Sequence, residues 1–241
     1  LSDKIKFYKQ TKEFHLDNNQ FYNSKWFYNS TLSYSENIFN SYSDQTPAIK
    51  YQSEEKELVS ISWNALKAKT LEFQKILLSN NIKKGDRVVA YCSNTPETIA
   101  AFLATNSLGA IWSSCSPDFG YDAVNERFEI IKPNLMFFHS SYSYNGKMFS
   151  LQPKVDRIIK NIDSIKHSID LNLYKNFNET NNSVQLKFSR VNFNHPIWIL
   201  FSSGTTGKPK AIVHRTGGII LEHFKALGIH QNVDKGDNYF W

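Results

Sequence analysis

Residues 86–114 read DRVVAYCSNTPETIAAFLATNSLGAIWSS, and this stretch decides the fold. It opens with an apolar run at 86–92, which predicts a strand buried on both faces. Thr95 is then a good helix N-cap followed by a proline, and Gly109 closes the predicted helix. A second apolar run at 110–114 predicts another strand. A strand, a helix and a strand in this order form the repeating unit of a parallel sheet.

Further helices and strands are predicted on both sides of this unit. Upstream, a hairpin is predicted over residues 46–61, and Ser62 is the N-cap of a helix whose apolar positions recur at helical spacing. The elements predicted downstream are a helix at 122–131, strands at 135–138 and near 168–173, a helix near 155–162, an exposed loop at 176–183, strands at 197–201 and 211–214, a helix at 217–227 with Ile220, Leu221, Phe224 and Leu227 inward, and a strand from 238.

The alternation of strands and helices predicts an α/β protein with mostly parallel sheets flanked by helices. Residues 1–45 are rich in aromatic side chains without clean periodicity, and we expect short helices and loops there that pack over a larger body, residues 46–241. A stacking surface for single-stranded nucleic acid is the alternative for the aromatic segment. It is disfavoured because basic residues are few between Lys12 and Lys50.

The composition is that of a globular protein with a basic balance. Hydrophobic residues make up 41% of the 241 residues, and the formal net charge of +6 comes from scattered lysines rather than a block of like charges. Cys92 and Cys115 form no C-x-x-C pair, which favours core packing in a reducing compartment, and we expect a cytoplasmic protein. No apolar run approaches the length of a membrane-spanning helix, and residues 1–20 are too polar for a signal peptide.

Residues 202–210 read SSGTTGKPK and form the most informative candidate site. Hydroxyl donors, glycines that permit positive φ and two lysines suit a polyphosphate. The loop is not a Walker A sequence, since only two residues separate its glycines and a proline follows the first lysine. A solvated surface turn is the alternative reading of these residue types. The residues predicted to contact phosphates are Ser202, Ser203, Gly204, Thr205, Thr206, Gly207, Lys208 and Lys210.

A second stretch, GAIWSSCSPDFG at 109–120, ends in a turn after a predicted strand, where open α/β sheets bind ligands. Cys115 within it lacks the histidine or aspartate spacing that would support a nucleophile. Histidines 195, 214, 223 and 230 lie late in the chain without zinc-site spacing, so no protein-held metal is predicted. For His214, a place beside a nucleotide and simple packing both stay open.

The loop at 202–210 and its apolar flanks resemble the signature of the adenylate-forming enzymes, which include acyl-CoA synthetases, adenylation domains of peptide synthetases and luciferases. The turn at 109–120 is also similar to that of acyl-CoA synthetases. Four more stretches match this enzyme type in order: 32–37, 85–110, 144–147 and 195–227. The resemblance covers most of the chain from about residue 20 and is weakest between 148 and 190.

The resemblance implies a function. The loop would hold the β- and γ-phosphates of ATP, with Mg²⁺ shared among the oxygens, while an acid is joined to CoA through an acyl-adenylate. Acetoacetate is the expected acid, with acetate or propionate as alternatives. Lys147 lies where acyl-CoA synthetases place basic residues against the CoA phosphates, although Ser143 stands where an arginine is expected. A noncatalytic nucleotide-binding fragment and a basic nucleic-acid-binding domain are the alternatives from other classes.

The resemblance also implies that other parts of the machinery lie elsewhere. The catalytic lysine of the adenylation step, the acid that binds the ribose and the aromatic motif of the acyl pocket are expected beyond residue 241. We therefore expect residues 1–241 to form an incomplete N-terminal domain of an adenylate-forming enzyme, without ligase turnover alone. The expected partners are the small molecules ATP, acetoacetate and CoA, with no nucleic acid and no membrane.

Overall fold

The computed structural model describes residues 5–9, 24, 26–27, 29–40, 43, 45–178, 185–202, 207–234 and 236–240. The strands and helices, in chain order, are β1 (Phe7–Lys9), β2 (Thr31–Leu32), α1 (Tyr34–Phe39), β3 (Ile49–Ser53), β4 (Lys56–Ile61), α2 (Trp63–Ser79), β5 (Arg87–Tyr91), α3 (Pro96–Ser107), β6 (Ile111–Cys115), α4 (Tyr121–Ile131), β7 (Leu135–Phe138), β8 (Ser141–Tyr144), β9 (Lys147–Ser150), α5 (Gln152–Asn161), β10 (His167–Asp170), β11 (Val191–Asn192), β12 (Pro196–Ser202), β13 (Lys210–Arg215) and α6 (Thr216–His223).

The central element is a six-stranded sheet with the order β10-β7-β5-β6-β12-β13. The first five of these strands run parallel, and β13 pairs antiparallel with β12 at one edge. The predicted α/β architecture with a mostly parallel sheet is therefore confirmed. The predicted hairpin before the sheet is also present, formed by β3 and β4.

Alternate residues of β5 divide the core into two halves. Val88 and Ala90 pack with apolar residues of α2 and α3, whereas Val89 and Tyr91 pack with residues of α4 and α5 on the opposite face. Helices thus cover both faces of β5, and this is why the strand reads as a continuous apolar run in the sequence.

The β5–α3–β6 unit forms as its local signals predict. The hydroxyl of Thr95 accepts the backbone N–H of Thr98 at 3.4 Å, and Pro96 is the first helical residue. Gly109 follows the helix at φ +70°, and its N–H donates to the backbone carbonyl of Asn106 at 3.0 Å. The left-handed backbone at Gly109 ends the helix and directs the chain into β6.

Two predictions for the last part of the chain are wrong, one of them only at Leu227. The helix that begins at Thr216 widens into a π-type segment over Phe224–His230, so its inward face differs from regular helical spacing. Ile220 is buried, and Leu221 and Phe224 are half-buried against the same core as predicted, whereas Leu227 is exposed. The strand expected from residue 238 is absent over 238–240, where no neighbouring strand pairs with these residues, and Trp241 lies outside the described residues.

Residues 140–174 also depart from expectation. The pattern there missed the antiparallel hairpin of β8 and β9. The strand expected near 168–173 ends at Asp170, because the Asp170 side chain accepts the N–H of Asn172 at 2.9 Å and starts a short 3₁₀ turn. The exposed loop expected at 176–183 is confirmed as irregular over 176–178, and its last residues lie outside the described part of the chain.

The described residues before position 45 pack into the core of the main body. The predicted short helix is α1, whose Ser35 hydroxyl donates to the carbonyl of Leu103 in α3 at 2.7 Å. Short strands were not expected, yet β2 pairs with both β1 and the distant β11. The division of the chain at residue 45 stays a prediction. Within the described ranges, no helix is both long enough and apolar enough to cross a membrane.

Candidate active site

The carboxyl ends of the five parallel strands meet at one edge of the sheet, and the candidate site is built there. The chain leaves β5 through α3 on one face and leaves β6 through α4 on the other face. Such a change of direction opens a crevice outside the strand ends, the usual place for a ligand in an open α/β sheet. The loops after β5, β6 and β7 leave the sheet at this edge, and β12 ends there at Ser202.

Tyr91 joins the end of β5 to the loop after β6. Its hydroxyl donates to the carbonyl oxygens of Pro117 and Phe119, at 3.2 Å and 2.6 Å. Burial raises the pKa of the Tyr91 phenol to about 12, so the hydroxyl keeps its proton as a donor at neutral pH. The predicted turn at 116–120 is therefore held against the neighbouring strand.

His139 joins the end of β7 to the loop after β5. Its buried imidazole accepts the backbone N–H of Ser93 through Nδ1 at 3.1 Å, and the Ser93 carbonyl in turn accepts from the Thr98 hydroxyl at 2.8 Å. Burial lowers the pKa of His139 to about 4, which keeps the ring neutral at neutral pH. No sequence pattern pointed to His139; its place directly after an apolar strand was the available signal.

The predicted polyphosphate loop connects β12 to β13. Ser202, the last residue of β12, pairs with Lys210, the first residue of β13, so the loop is the turn of an antiparallel hairpin. Gly207 adopts φ +83°, and Lys208 and Lys210 are exposed. A strand follows the loop, whereas a helix follows a Walker A loop. Among the predicted contacts, Ser203, Gly204, Thr205 and Thr206 lie outside the described residues.

Lys147 lies on the β8–β9 hairpin, which follows the carboxyl end of β7. The side chain is exposed, and the two residues before it, Asn145 and Gly146, both have positive φ. An Asn-Gly pair with this backbone is the favoured two-residue hairpin turn, and it was the sequence signal for the hairpin that the pattern missed. Three strand spacings separate β7 from β12, so this hairpin and the candidate phosphate loop leave the sheet edge about 14 Å apart.

Ser143, which stands where acyl-CoA synthetases are expected to have an arginine, makes a contact of its own. Its hydroxyl donates to the carboxylate of Glu55 in the turn between β3 and β4. On the same hairpin, the rings of Tyr142 and Phe149 stack with centroids 5.4 Å apart. The hairpin that carries Lys147 is therefore in contact with the earlier hairpin of the fold.

The two cysteines are buried and unpaired, as predicted. Burial raises the pKa of Cys92 to about 12 and that of Cys115 to about 11. The thiols stay protonated at neutral pH, a state unsuited to a nucleophile. Both residues therefore act in packing.

Three of the late histidines make packing contacts. The Nε2–H of His195 donates to the carbonyl of Gly109 at 2.8 Å, and His223 lies 3.2 Å from the Tyr34 hydroxyl. The ring of His214 packs 5.9 Å from that of Trp198. Across the described residues, no three His, Cys, Asp or Glu side chains gather into a metal site.

This arrangement matches a known class of proteins. The chain belongs to the AMP-binding enzyme family, whose sequence pattern matches residues 38–241. The mostly parallel sheet and the hairpin that carries residues 202–210 therefore belong to a member of an enzyme family.

Within that family the chain is similar to acetoacetyl-CoA synthetases. It is 36% identical over 234 residues to that of Macaca fascicularis, covering 88% of this chain and 35% of the relative. It is 35% identical over 243 residues to acetoacetyl-coenzyme A synthetase of Rhizobium meliloti (strain 1021), covering 94% and 37%. A solved structure of acetoacetyl-CoA synthetase from Streptomyces lividans superimposes with a TM-score of 0.88 at 30% identity, over 98% of this chain and 38% of that one. The chain therefore spans little more than a third of each relative's length.

Proposed function

We propose that this chain supplies the ATP-contacting and part of the CoA-contacting surface of an acetoacetate–CoA ligase. The reaction would convert ATP, acetoacetate and CoA into acetoacetyl-CoA, AMP and diphosphate. The observation that carries the proposal is the loop between Ser202 and Lys210, placed between antiparallel strands at the carboxyl edge of the sheet. The similarity to acetoacetyl-CoA synthetases over most of the chain supports the choice of acid.

The chemistry explains why such a loop is needed. A carboxylate is a poor acyl donor, because it is negatively charged and has no good leaving group. Attack of its oxygen on the α-phosphorus of ATP forms an acyl-adenylate and breaks the bond to diphosphate, and the CoA thiol then displaces AMP. The leaving diphosphate gains charge in the first step, so donors aimed at its oxygens stabilise the transition state.

Different residues of the loop contribute different groups to this stabilisation. Lys208 and Lys210 are exposed cations beside the place of the phosphates, and Gly207 in left-handed backbone lets the chain turn close to an anion. The hydroxyls of Ser202, Ser203, Thr205 and Thr206 supply donors that rotate onto phosphate oxygens. ATP enters as its magnesium complex, with the ion carried by the phosphates.

Lys147 is the proposed contact to a CoA phosphate. Its side chain is exposed on a hairpin that follows the carboxyl end of β7, and we expect it to reach an anionic group of a ligand bound at that edge of the sheet. Ser143 supplies no positive charge, so this chain relies on Lys147 at this hairpin. A cytoplasmic location is part of the proposal, supported by the two buried free thiols.

The proposal is tested with acid-dependent exchange of labelled diphosphate into ATP. Residues 1–241 are placed in a hybrid in which they replace the matching part of the Rhizobium meliloti enzyme. The expected result is exchange that depends on acetoacetate and is weaker with acetate or propionate, while residues 1–241 alone form no thioester. ATP binding by the chain without exchange in a correctly folded hybrid would favour a noncatalytic nucleotide-binding role. Thioester formation by residues 1–241 alone would contradict the expectation that a necessary lysine lies elsewhere.

A further inference from the structure

The turns of two exposed hairpins meet through one carboxylate. Glu54, in the turn between β3 and β4, accepts the backbone N–H of Asn145 at 2.8 Å and that of Gly146 at 2.9 Å. These two residues form the turn between β8 and β9, directly before Lys147. The contact joins residues 91 and 92 positions apart in the sequence.

The backbone of the turn explains why a carboxylate fits there. Asn145 and Gly146 have φ of 51° and 68°, and successive residues in left-handed backbone direct their N–H groups toward one point. Such a pair of N–H groups makes a small concave site for an anion. Hydrogen bonds to an ionised acceptor are stronger than those between neutral groups. The bonds from Gly146 and Asn145 accordingly lower the pKa of the Glu54 carboxyl.

The β8–β9 hairpin has few other supports near its turn. In the described part of the chain it is a separate two-stranded sheet, and residues 144–150 are all exposed. A two-stranded ribbon is only marginally stable by itself. Tyr142 packs against the core at the base of the hairpin, whereas the turn is held by Glu54 and by the bond between Glu55 and Ser143.

We propose that Glu54 is a positioning residue that fixes the β8–β9 turn and so directs Lys147 toward a phosphate of CoA. The inference rests on the proposed contact between Lys147 and CoA and extends it to a residue from another hairpin. Glu54 does not touch the ligand. It acts by reducing the number of orientations that the Lys147 backbone adopts before CoA binds, which lowers the entropy lost on binding.

The test is a double-mutant cycle on CoA affinity with Glu54→Gln and Lys147→Ala in the chain of residues 1–241, measured by amide NMR titration with CoA. Glutamine keeps the shape but loses the charge and one acceptor. Glu57→Gln is the matched control, since Glu57 is an exposed carboxylate on β4 of the same hairpin. The proposal predicts a several-fold weaker affinity and faster hydrogen exchange at Asn145 and Gly146 for Glu54→Gln, and neither change for Glu57→Gln.

The cycle separates positioning from a general structural effect. If Glu54 acts through Lys147, Glu54→Gln has little further effect on CoA affinity in the Lys147→Ala background. If Glu54→Gln weakens CoA affinity equally in both backgrounds, the positioning role is overturned. The same holds if Glu54→Gln leaves CoA affinity unchanged while Lys147→Ala weakens it. In both cases the CoA contact of Lys147 stands. An unchanged affinity in Lys147→Ala would instead refute the CoA contact, and the positioning role with it.

Discussion

The phenol hydroxyl of Tyr91 donates a 2.6 Å hydrogen bond to the backbone carbonyl of Phe119. Tyr91 ends β5, and Phe119 lies in the turn after β6, so this bond connects the two strand ends between which the chain changes direction. The carbonyl of Pro117 accepts from the same hydroxyl at 3.2 Å. One buried side chain therefore shapes the turn beside the crevice.

Removal of this hydroxyl is expected to destabilise the protein. Tyr91→Phe leaves two carbonyl oxygens without their donor, and loss of one partner from a buried hydrogen bond costs about 1–3 kcal/mol. Urea unfolding measures the change in the free energy of unfolding. Tyr144→Phe is the control, since Tyr144 is 68% exposed. An equal and small change in both variants would contradict the role given to Tyr91.

His139 is expected to make stability depend on pH. Its pKa is about 4 in the folded chain and 6.5 without burial, so the unfolded chain binds more protons between these values. Stability is therefore fully present above pH 6.5, and it falls as the pH drops toward 4, by about 3 kcal/mol from this group. His139→Gln should reduce the slope of the unfolding free energy between pH 6.5 and 4.5. An unchanged slope in His139→Gln would refute the assignment.

Substitution by alanine is expected to affect the free energy of unfolding differently at the two adjacent glycines of α6. A Cβ at Gly217 would overlap the ring of Phe193, whereas a Cβ at Gly218 meets nothing within 4 Å. Gly217→Ala should lower the free energy of unfolding by about 1–3 kcal/mol through overpacking. Gly218→Ala should leave it equal or raise it by up to about 1 kcal/mol, because alanine favours the helix. Thermal unfolding of the two variants measures these changes. Similar effects at both positions would contradict the close packing at Gly217.

The sequence predicted the parts of the fold whose signals are local. The apolar run of β5, the Thr95 cap and the Gly109 stop lie within one short stretch, and they suffice for a strand, a helix and a stop. The inward face predicted for residues 217–227 fails at Leu227, because the helix widens over Phe224–His230 and this widening leaves no mark in an apolar pattern.

No sequence pattern predicted the contacts between distant segments. Tyr91 and Phe119 are 28 positions apart, and Glu54 and Asn145 are 91 apart, so no spacing rule relates them. The candidate phosphate loop was found because its residue types are dense in one segment. His139 was missed because it is a single polar residue after a strand, and only the fold brings it to Ser93.

Phosphate binding by the loop at 202–210 is tested by the affinity of residues 1–241 for ATP. The measurement is calorimetric titration of the unmodified chain, the Lys208→Ala/Lys210→Ala double variant, and Lys75→Ala, which removes an exposed lysine on α2. We expect the double variant to lose at least about tenfold in ATP affinity, or about 1.4 kcal/mol, and Lys75→Ala to keep the original affinity. Adenosine, which lacks phosphates, should bind both variants alike. An unmodified chain that does not bind ATP, or a double variant that binds it equally well, would refute phosphate binding by this loop.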